Sequence, residues 1–386
     1  MIWLEKAAYY IGWSLERVVL DDGLQFVVKL LSFHGLKTYF TPNMEISYRG
    51  DYLEVDIVGR KVEVRCIDKD AQRYRKPKIM YMPAERNFLH YLDASVASKL
   101  LPPPLVALLG EYRKARAEVV HPYVIPINGY RLVYDEQTDE YLIENEHADG
   151  ESSRTPVPES SSGLQSLIPL LLVSNYLSAH IGEGGGNTPD LSSLSWGGNP
   201  FLTVSGPDNR LGYLGSSNVV NGLRFMKRSV EPPCRFINIV EEPEQNLFPP
   251  TQRRVLRQLL SVNNAHKGNY LIVSTHSPYV VSDLVAATKA HALYTLCGDS
   301  AGRATSVRPL IEKCYPQQYS VSDDDVALYE TNYDGTICRL EKSNGLIADS
   351  NFLNRHLQLG NMLLDELCHL EDMLKNPSLA QLECNA

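Results

Sequence analysis

The chain has 386 residues, 44% of them hydrophobic and 22% charged, which is typical of globular domains and sufficient for one large domain or two modest ones. Its formal net charge of −9 argues against a broad affinity for nucleic acid. The 7 cysteines form no C-x-x-C pair, and glutamates interrupt the apolar N-terminal stretch, so we expect a cytoplasmic protein without disulfides, zinc, signal peptide or membrane span.

The first part of the chain alternates between helical and strand patterns. Apolar side chains recur at helical spacing from the start and predict an amphipathic helix (Leu4, Ala7, Ala8, Ile11, Leu15), with helical sequence continuing to about Leu36. The stretch "MEISYRGDYLEVDIVGRKVEVRCID" predicts three short antiparallel strands. "KPKIMYMPAERNF" predicts a further strand that ends at Pro83, and residues 88–119 are predicted helical with a break at 102–104.

The middle of the chain is predicted to contain a hairpin, a helix and a long loop. "YRLVYDEQTDEYLIEN" has the pattern of an acidic hairpin over 130–145, and "LQSLIPLLLVSNYLSAH" predicts an apolar helix despite Pro169. Residues 181–222 are rich in Gly, Ser, Asn and Pro and predict a loop-rich insertion. Its "GEGGGN" follows no strand and lacks the spacing of a phosphate-binding fingerprint.

Two apolar strands are predicted in the last part of the chain. "FINIVEEPEQNLFPP" predicts a buried strand that ends in Glu241 and Glu242, followed by a helix with Thr251 as its N-cap and an apolar face of Val255, Leu256, Leu259 and Leu260. "NYLIVSTHSPYVV" predicts a second buried strand and "HALYTLC" a third. A hairpin with Asp334-Gly335 at its turn and a leucine-rich helix over 351–375 follow. This order predicts a mostly parallel α/β core with an antiparallel addition.

Three motifs carry polar groups to the ends of apolar elements. They are the glutamate pair Glu241-Glu242, the segment "STHSP" at 274–278 and the segment "SSSGLQ" at 160–165. Each alone is typical of an ordinary feature: a solvated turn, a hydrogen-bonded histidine and a helix N-cap. Their occurrence together indicates a functional site, because ligands of open α/β sheets bind at the carboxyl ends of strands.

In this order the motifs resemble the second half of an ABC-type ATPase nucleotide-binding domain, nearest to the SMC, RecF and OLD-like branch of the P-loop NTPases (AAA family ATPases). The resemblance implies ATP and Mg²⁺ as cofactors, with Glu241 on the metal side and Glu242 as the catalytic carboxylate. His276 would be the switch histidine that contacts the γ-phosphate. The signature serines and glycine would be Ser161, Ser162 and Gly163, and "YMPAERN" adds Glu85 and Arg86 as weaker site residues.

The same resemblance implies a P-loop NTPase-like ABC ATPase head. Its fold would be α/β, a mostly parallel sheet flanked by helices, with an antiparallel β subdomain and a helical signature lobe. The ATPase domain would span 1–345. It would be divided into the remnant of the first lobe with antiparallel strands (about 1–87), the signature lobe with its insertion (88–235) and a core (236–345) that contains the strand ending in Glu241-Glu242, the Walker B motif, and the switch histidine. Residues 346–386 would form a C-terminal helical tail.

The sequence departs from that family at its phosphate-binding loop. It contains no G-x-x-x-x-G-K-[ST] segment, whose amides and lysine hold the β- and γ-phosphates. Either the given chain starts downstream of that loop, as its helical beginning suggests, or a complete protein evolved without it; in both cases we expect poor ATP binding. Leu164 also stands where the signature often has a polar residue, and Glu241 where aspartate is commoner.

Two classes of function follow. In the first, the chain is an ATPase head that forms a homodimer around two ATP molecules and switches a separately encoded effector protein. In the second, it is a catalytically inactive pseudo-ATPase that serves as an interaction scaffold.

Contact with DNA would depend on three arginines of one helix, for which a solvated face is the ordinary interpretation (Arg253, Arg254, Arg257). Residues 323–325 are three aspartates in a polar loop and not a nuclease carboxylate pair.

Overall fold

The chain divides into two compact units, one comprising Met1–Glu241 with Ala265–Val273 and the other Glu242–Asn264 with Ser274–Ala386. The structure, a computed structural model, describes residues 17–20, 23–33, 35–50, 53–67, 77–91, 101–127, 129–146, 152–182, 233–299, 304–343, 346–347 and 351–375. The helix predicted at residues 4–15 and nearly all of the predicted insertion lie outside these ranges.

A four-stranded antiparallel sheet of the first unit has the strand order β1-β4-β3-β2. Its strands are β1 (Arg17–Leu20), β2 (Glu45–Arg49), β3 (Leu53–Val58) and β4 (Lys61–Cys66). Alternate side chains of the two central strands are buried, as period-2 sequence dictates (Val55, Ile57, Val62, Val64). The three predicted strands of this region, β2 to β4, are thereby confirmed.

Helix α1 (Leu24–Phe33) begins after a glycine that lies against this sheet. The Gly23 amide donates to the carbonyl of Arg60 at 2.6 Å. A Cβ on Gly23 would lie 2.4 Å from Cγ2 of Val62, so the approach of the two backbones requires glycine.

A second antiparallel sheet of this unit is ordered β6-β7-β8-β9. Its strands are β6 (Tyr123–Val124), β7 (Tyr130–Asp135), β8 (Glu140–Glu146) and β9 (Ser152–Pro156). The hairpin of β7 and β8 is the one that the acidic pattern predicts. The predicted break in the helical region also agrees, since α2 (Pro103–Glu118) begins with prolines in its first turn.

The third sheet places the glutamate pair. Strands β5 (Lys78–Met82), β10 (Phe236–Glu241) and β11 (Tyr270–Ser274) have the order β11-β10-β5, and β10 runs parallel to β5 from Phe236↔Lys78 to Val240↔Met82. A 3₁₀ helix (Ala84–His90) follows β5. Helix α3 (Ser162–Ala179) is buried over most of its length, and its Ser174 Oγ accepts a hydrogen bond from Asn238 of β10 at 3.0 Å.

The second unit is mainly helical. Its helices are α4 (Pro249–Asn264), α5 (Pro278–Asp299), α6 (Ala304–Cys314) and α7 (Phe352–Lys375). It also contains two small hairpins, formed by β12 (Tyr329–Thr331) with β13 (Ile337–Arg339) and by β14 (Lys342–Ser343) with β15 (Leu346–Ile347). The predicted apolar face of α4 is buried, the Asp334-Gly335 hairpin is present, and α7 is the predicted leucine-rich helix.

Several element predictions are wrong, each for a local reason. Residues 17–20, predicted to be helical, form a strand because they pair with β4. Helix α4 begins at Pro249 and not after an N-cap at Thr251, because proline is tolerated at the first helical positions, where its missing N–H is not needed. The segment "HALYTLC" lies inside α5. Strand β11, which was predicted to be buried, has side chains that alternate between exposed and partly buried. Pairing among the described strands is mostly antiparallel, so the chain is α/β with mixed sheets.

Candidate functional site

Glu241 is the last residue of β10, and hydrogen bonds from the first unit hold its carboxylate. The hydroxyl of Tyr81 donates to Oε1 at 2.6 Å, and the amide of Ala84 donates to Oε2 at 3.3 Å. Burial and this hydrogen bond raise the pKa of Tyr81, so its hydroxyl remains a donor at neutral pH. Each carboxylate oxygen keeps a second lone pair, with which Glu241 could accept a hydrogen bond from a water of a hydrated cation.

Arg86 is fully buried, which is rare for an arginine. Its guanidinium donates to three backbone carbonyls: those of Glu241 (2.7 Å), Ser166 (3.2 Å) and Pro83 (3.2 Å). Arg86 therefore fixes the backbone at the end of β10. Its predicted contact with a nucleotide stays a prediction.

The serine-rich motif forms the beginning of α3. Ser161 is the N-cap, and its Oγ accepts from the amide of Leu164 at 3.4 Å. Ser162 is exposed in the first turn, whereas Gly163 is buried. Gln165 fixes the preceding loop, because its amide nitrogen donates to the carbonyls of Pro158 and Ser160 at 2.8 Å each.

Glu242 and His276 lie together in the second unit. The Glu242 amide donates to the carbonyl of Ser274 at 2.9 Å, and Glu242 Oε1 is 3.6 Å from Nε2 of His276. The His276 side chain is 85% exposed and that of Glu242 39%, so both can reach a solvent molecule. Glu242 has a φ of 42°, a left-handed conformation that non-glycine residues seldom adopt and that recurs at active sites.

Glu244 is a positioning residue that the sequence analysis missed. Its Oε1 accepts from the Thr275 hydroxyl at 2.8 Å and from the His276 amide at 2.7 Å, whereas its buried Oε2 has no hydrogen-bond partner in the described part of the chain. Glu244 thus holds the loop that carries His276. The signal was present in the sequence as the third glutamate of "EEPE", but nothing in its spacing indicated a contact 32 residues away.

Comparison with known proteins does not assign the chain: no protein-family model and no curated protein matches it. Its function is therefore inferred from its own residues.

Two other polar groups singled out in the sequence, Asp323 and Arg257, are paired within the described ranges. Asp323, in a short 3₁₀ helix, forms an ion pair with Lys342 at 3.0 Å. No group of three or more His, Cys, Asp and Glu side chains there is arranged to hold a metal ion, and no helix there is long and apolar enough to cross a bilayer. Of the three arginines considered for DNA contact, Arg257 forms an ion pair with Asp283. Its Nε and Nη2 donate hydrogen bonds to the Asp283 carboxylate at 3.1 and 2.7 Å.

Proposed function

We propose that the chain provides the hydrolytic half of an ABC-type ATPase and acts as a nucleotide-dependent switch. The observation that carries the proposal is the exposed pair of Glu242 and His276, whose Oε1 and Nε2 are 3.6 Å apart directly after a strand that ends in Glu241. At this separation a carboxylate that accepts a proton from water and an imidazole that donates a hydrogen bond to a phosphoryl oxygen can act on the same substrate.

In this proposal Glu242 is the general base. It accepts a proton from the water whose oxygen attacks the γ-phosphorus of ATP, and the bond between that phosphorus and the leaving oxygen of ADP breaks. His276 donates a hydrogen bond to the phosphoryl group, and Glu244 keeps the His276 loop in place through its bonds to Thr275 and to the His276 amide. Such positioning accounts for most of the catalysis in phosphoryl transfer.

The chain's residues fit part of a Mg-ATP site. Glu241 keeps free lone pairs on an anchored carboxylate, which suits a hydrated cation, and bound Mg²⁺ would supply neutralising charge. The exposed Ser162 and the backbone amides at the start of α3 suit a phosphate. The sequence has no G-x-x-x-x-G-K-[ST] loop, so we expect weak nucleotide affinity, with hydrolysis measurable only at millimolar ATP.

Partners follow from the same proposal. A homodimer that closes around two ATP molecules would bring the α3 motif of one copy to the nucleotide of the other. A separately encoded effector would recognise the closed state, and contact with DNA would use Arg253, because Arg257 is bound to Asp283. The missing phosphate-binding loop favours a second candidate, a pseudo-ATPase scaffold that keeps the fold without turnover.

The test is phosphate release from Mg-ATP by the purified chain, by Glu242→Gln and by Glu136→Gln, a matched change at an exposed glutamate of the β7–β8 turn. We expect slow, magnesium-dependent release by the wild type and the Glu136 variant. Loss of a general base lowers such rates by about 100-fold or more, which is the expectation for Glu242→Gln. Release that Glu242→Gln leaves unchanged would overturn the proposal, and no release from any of the three would favour the scaffold instead.

A further inference from the structure

The last helix of the chain is exposed on every side from Arg355 on, and one of its sides is especially rich in leucine. Five leucines spaced by three or four residues are 45–84% exposed, and we call them the leucine stripe: Leu359, Leu363, Leu367, Leu370 and Leu374. At 100° per residue they lie within an arc of about 80° on α7. A helix of this kind derives its stability from burying such a face, so the leucine stripe requires a covering surface.

Acidic side chains border the leucine stripe on both sides. The helical spacing places Glu366 along one edge and Glu371 along the other, whereas Asp365 and Asp372 lie on the opposite side of α7. Glu371 also contacts Lys375, an exposed ion pair of the kind that contributes little to stability. Two copies of α7 that paired with each other would bring these glutamates together, and that arrangement is unfavourable.

A groove in the same unit has the complementary character. It is a solvent-open cavity of about 580 Å³ between α4, α5 and α6, and we call it the cationic groove. Apolar side chains such as Leu293, Leu310 and Ile311 line it, and Leu310 is 62% exposed. The cationic groove is lined by one carboxylate, that of Asp283, and by three cationic side chains (Arg253, Arg257, Lys289). In a protein with a net charge of −9 this is a local excess of positive charge.

Two of those cations are available to an acidic partner. Arg257 is committed to the buried Asp283, as described above. Lys289 is exposed and forms no ion pair among the described residues, and Arg253 is exposed with its guanidinium 5.8 Å from the Tyr279 ring. Arg253 belongs to α4 and Lys289 to α5, so the two cations come from two different helices that line the groove.

We propose that the leucine stripe of one copy binds the cationic groove of a second copy, with Glu366 and Glu371 opposite Arg253 and Lys289. Every copy carries one leucine stripe and one cationic groove. In a two-fold symmetric dimer the stripe of each copy binds the groove of the other, so no stripe or groove is left to bind a third copy. This interface uses no nucleotide and does not depend on the proposed ATPase function.

The surface area that the leucine stripe and the cationic groove can bury is in the range of a weak but specific dimer. A fully exposed leucine offers roughly 100 Å² of apolar surface, so five half-exposed leucines bury about 250–300 Å² per stripe. With the matching groove surface and the two-fold repetition, the total is about 1,000–1,200 Å², at the lower end for specific interfaces. We therefore expect dissociation in the micromolar range.

The test is sedimentation of the full chain without nucleotide over a range of concentrations, with charge reversals on each side. The helix variant is Glu366→Lys with Glu371→Lys, the groove variant is Arg253→Glu with Lys289→Glu, and the fourth protein carries all four changes. We expect each pair of reversals to weaken the dimer about tenfold or more, because like charges then face one another, and the combination to restore it to within about threefold of wild type.

The matched control is Asp365→Lys with Asp372→Lys, which changes the helix charge equally but on the opposite side of α7 and should leave the dimer unchanged. A chain that stays monomeric at all concentrations would overturn the proposal, including the case in which α7 binds its own groove. A dimer that the helix reversal strengthens and the groove reversal leaves unchanged would show pairing of the two α7 helices instead. Failure of the fourfold variant to recover would equally contradict the proposed contact.

Discussion

Arg86 illustrates how a site residue and a structural residue can look identical in a sequence. The motif "YMPAERN" marks it as a polar group after a strand, but the structure buries its guanidinium among backbone carbonyls. A carbonyl that loses its donor in the interior costs about 1–3 kcal/mol, so the role of Arg86 in the fold is large whether or not it also contacts a nucleotide.

Replacement of Arg86 should therefore act on stability. We expect Arg86→Ala to lower the free energy of unfolding by about 3 kcal/mol or more, because several buried carbonyls are left unpaired. Arg86→Lys should lie between Ala and wild type, since an ammonium cannot reproduce the planar fork. Urea unfolding measures the effect, with exposed Arg60→Ala as the control. Equal stability of the Arg86 and Arg60 variants would contradict this role.

His90 provides a pH-dependent contribution to stability. Burial lowers the pKa of His90 to about 4, and its Nε2 lies 2.7 Å from the carbonyl of Gln165. The nearby Arg116 also disfavours the charged ring. The folded protein therefore keeps this ring neutral in a pH range where the unfolded chain, with an ordinary histidine pKa near 6.5, takes up a proton.

Stability should consequently fall as pH decreases from about 6.5 to 4, with His90 contributing up to about 3 kcal/mol of the loss. The variant His90→Gln has no proton to gain, so its stability should fall less steeply over this range. Urea unfolding at several pH values compares the two, with His266→Gln as the control. Identical pH profiles for wild type and His90→Gln would show that His90 does not titrate as its burial implies.

At the scale of elements, a charged cluster joins the helices of the second unit. Asp283 of α5 is buried, binds Arg257 of α4 and accepts from the hydroxyl of Tyr315 at 3.1 Å. The Arg257 guanidinium also lies 4.4 Å from the centre of the Tyr315 ring. Because a buried carboxylate without its partner is costly, this cluster links the two helices and the end of α6.

A double-mutant cycle should detect that link. We expect Asp283→Ala and Arg257→Ala each to cost about 2–4 kcal/mol, and the double variant to cost about 1–2 kcal/mol less than their sum. The pair of Arg154 and Glu144 is the control, because its arginine side chain is 57% exposed to solvent, and its coupling should stay below about 1 kcal/mol. Additive effects at Asp283 and Arg257 would contradict the cluster.

Elements with a strong local pattern could be predicted, and elements decided by pairing could not. The period-2 strands β2 to β4, the buried helix α3 and the Asp-Gly hairpin follow directly from the sequence. The strand at 17–20 is fixed by its pairing with β4, and "HALYTLC" becomes helical because α5 continues through it. The exposure of alternate side chains of β11 is not apparent from its apolar sequence, because it depends on what packs on the strand and not on the strand itself.

The candidate site shows the same division. The strand end with Glu241 and Glu242, the helix N-cap in the serine-rich segment and the presence of His276 after the next strand were readable as motifs. The role of Glu244 was not, because its partners lie 31 and 32 residues away and only the folded loop brings them together.

At the scale of the whole molecule, the end of α7 contributes little to the folding of its unit. The start of α7 is attached, since Phe352 contacts Tyr333 and Arg355 pairs with Glu330 at 3.0 Å. Beyond it, the leucine stripe is exposed. Replacement of Leu363, Leu367 and Leu370 together by alanine should therefore change the free energy of unfolding by no more than about 0.5 kcal/mol in dilute solution. Phe352→Ala is the comparison and should cost more; a large loss from the three leucine replacements would contradict this.

The central claim is that Glu242 and His276 act together in one hydrolytic step, Glu242 on the attacking water and His276 on the phosphoryl group, and a kinetic cycle tests it most directly. Phosphate release at millimolar Mg-ATP is measured for the wild type, Glu242→Gln, His276→Gln and the double variant. Residues that act as a unit are strongly non-additive, so we predict that the double variant is no slower than Glu242→Gln alone. Rates that multiply, or a double variant as active as the wild type, would contradict the account.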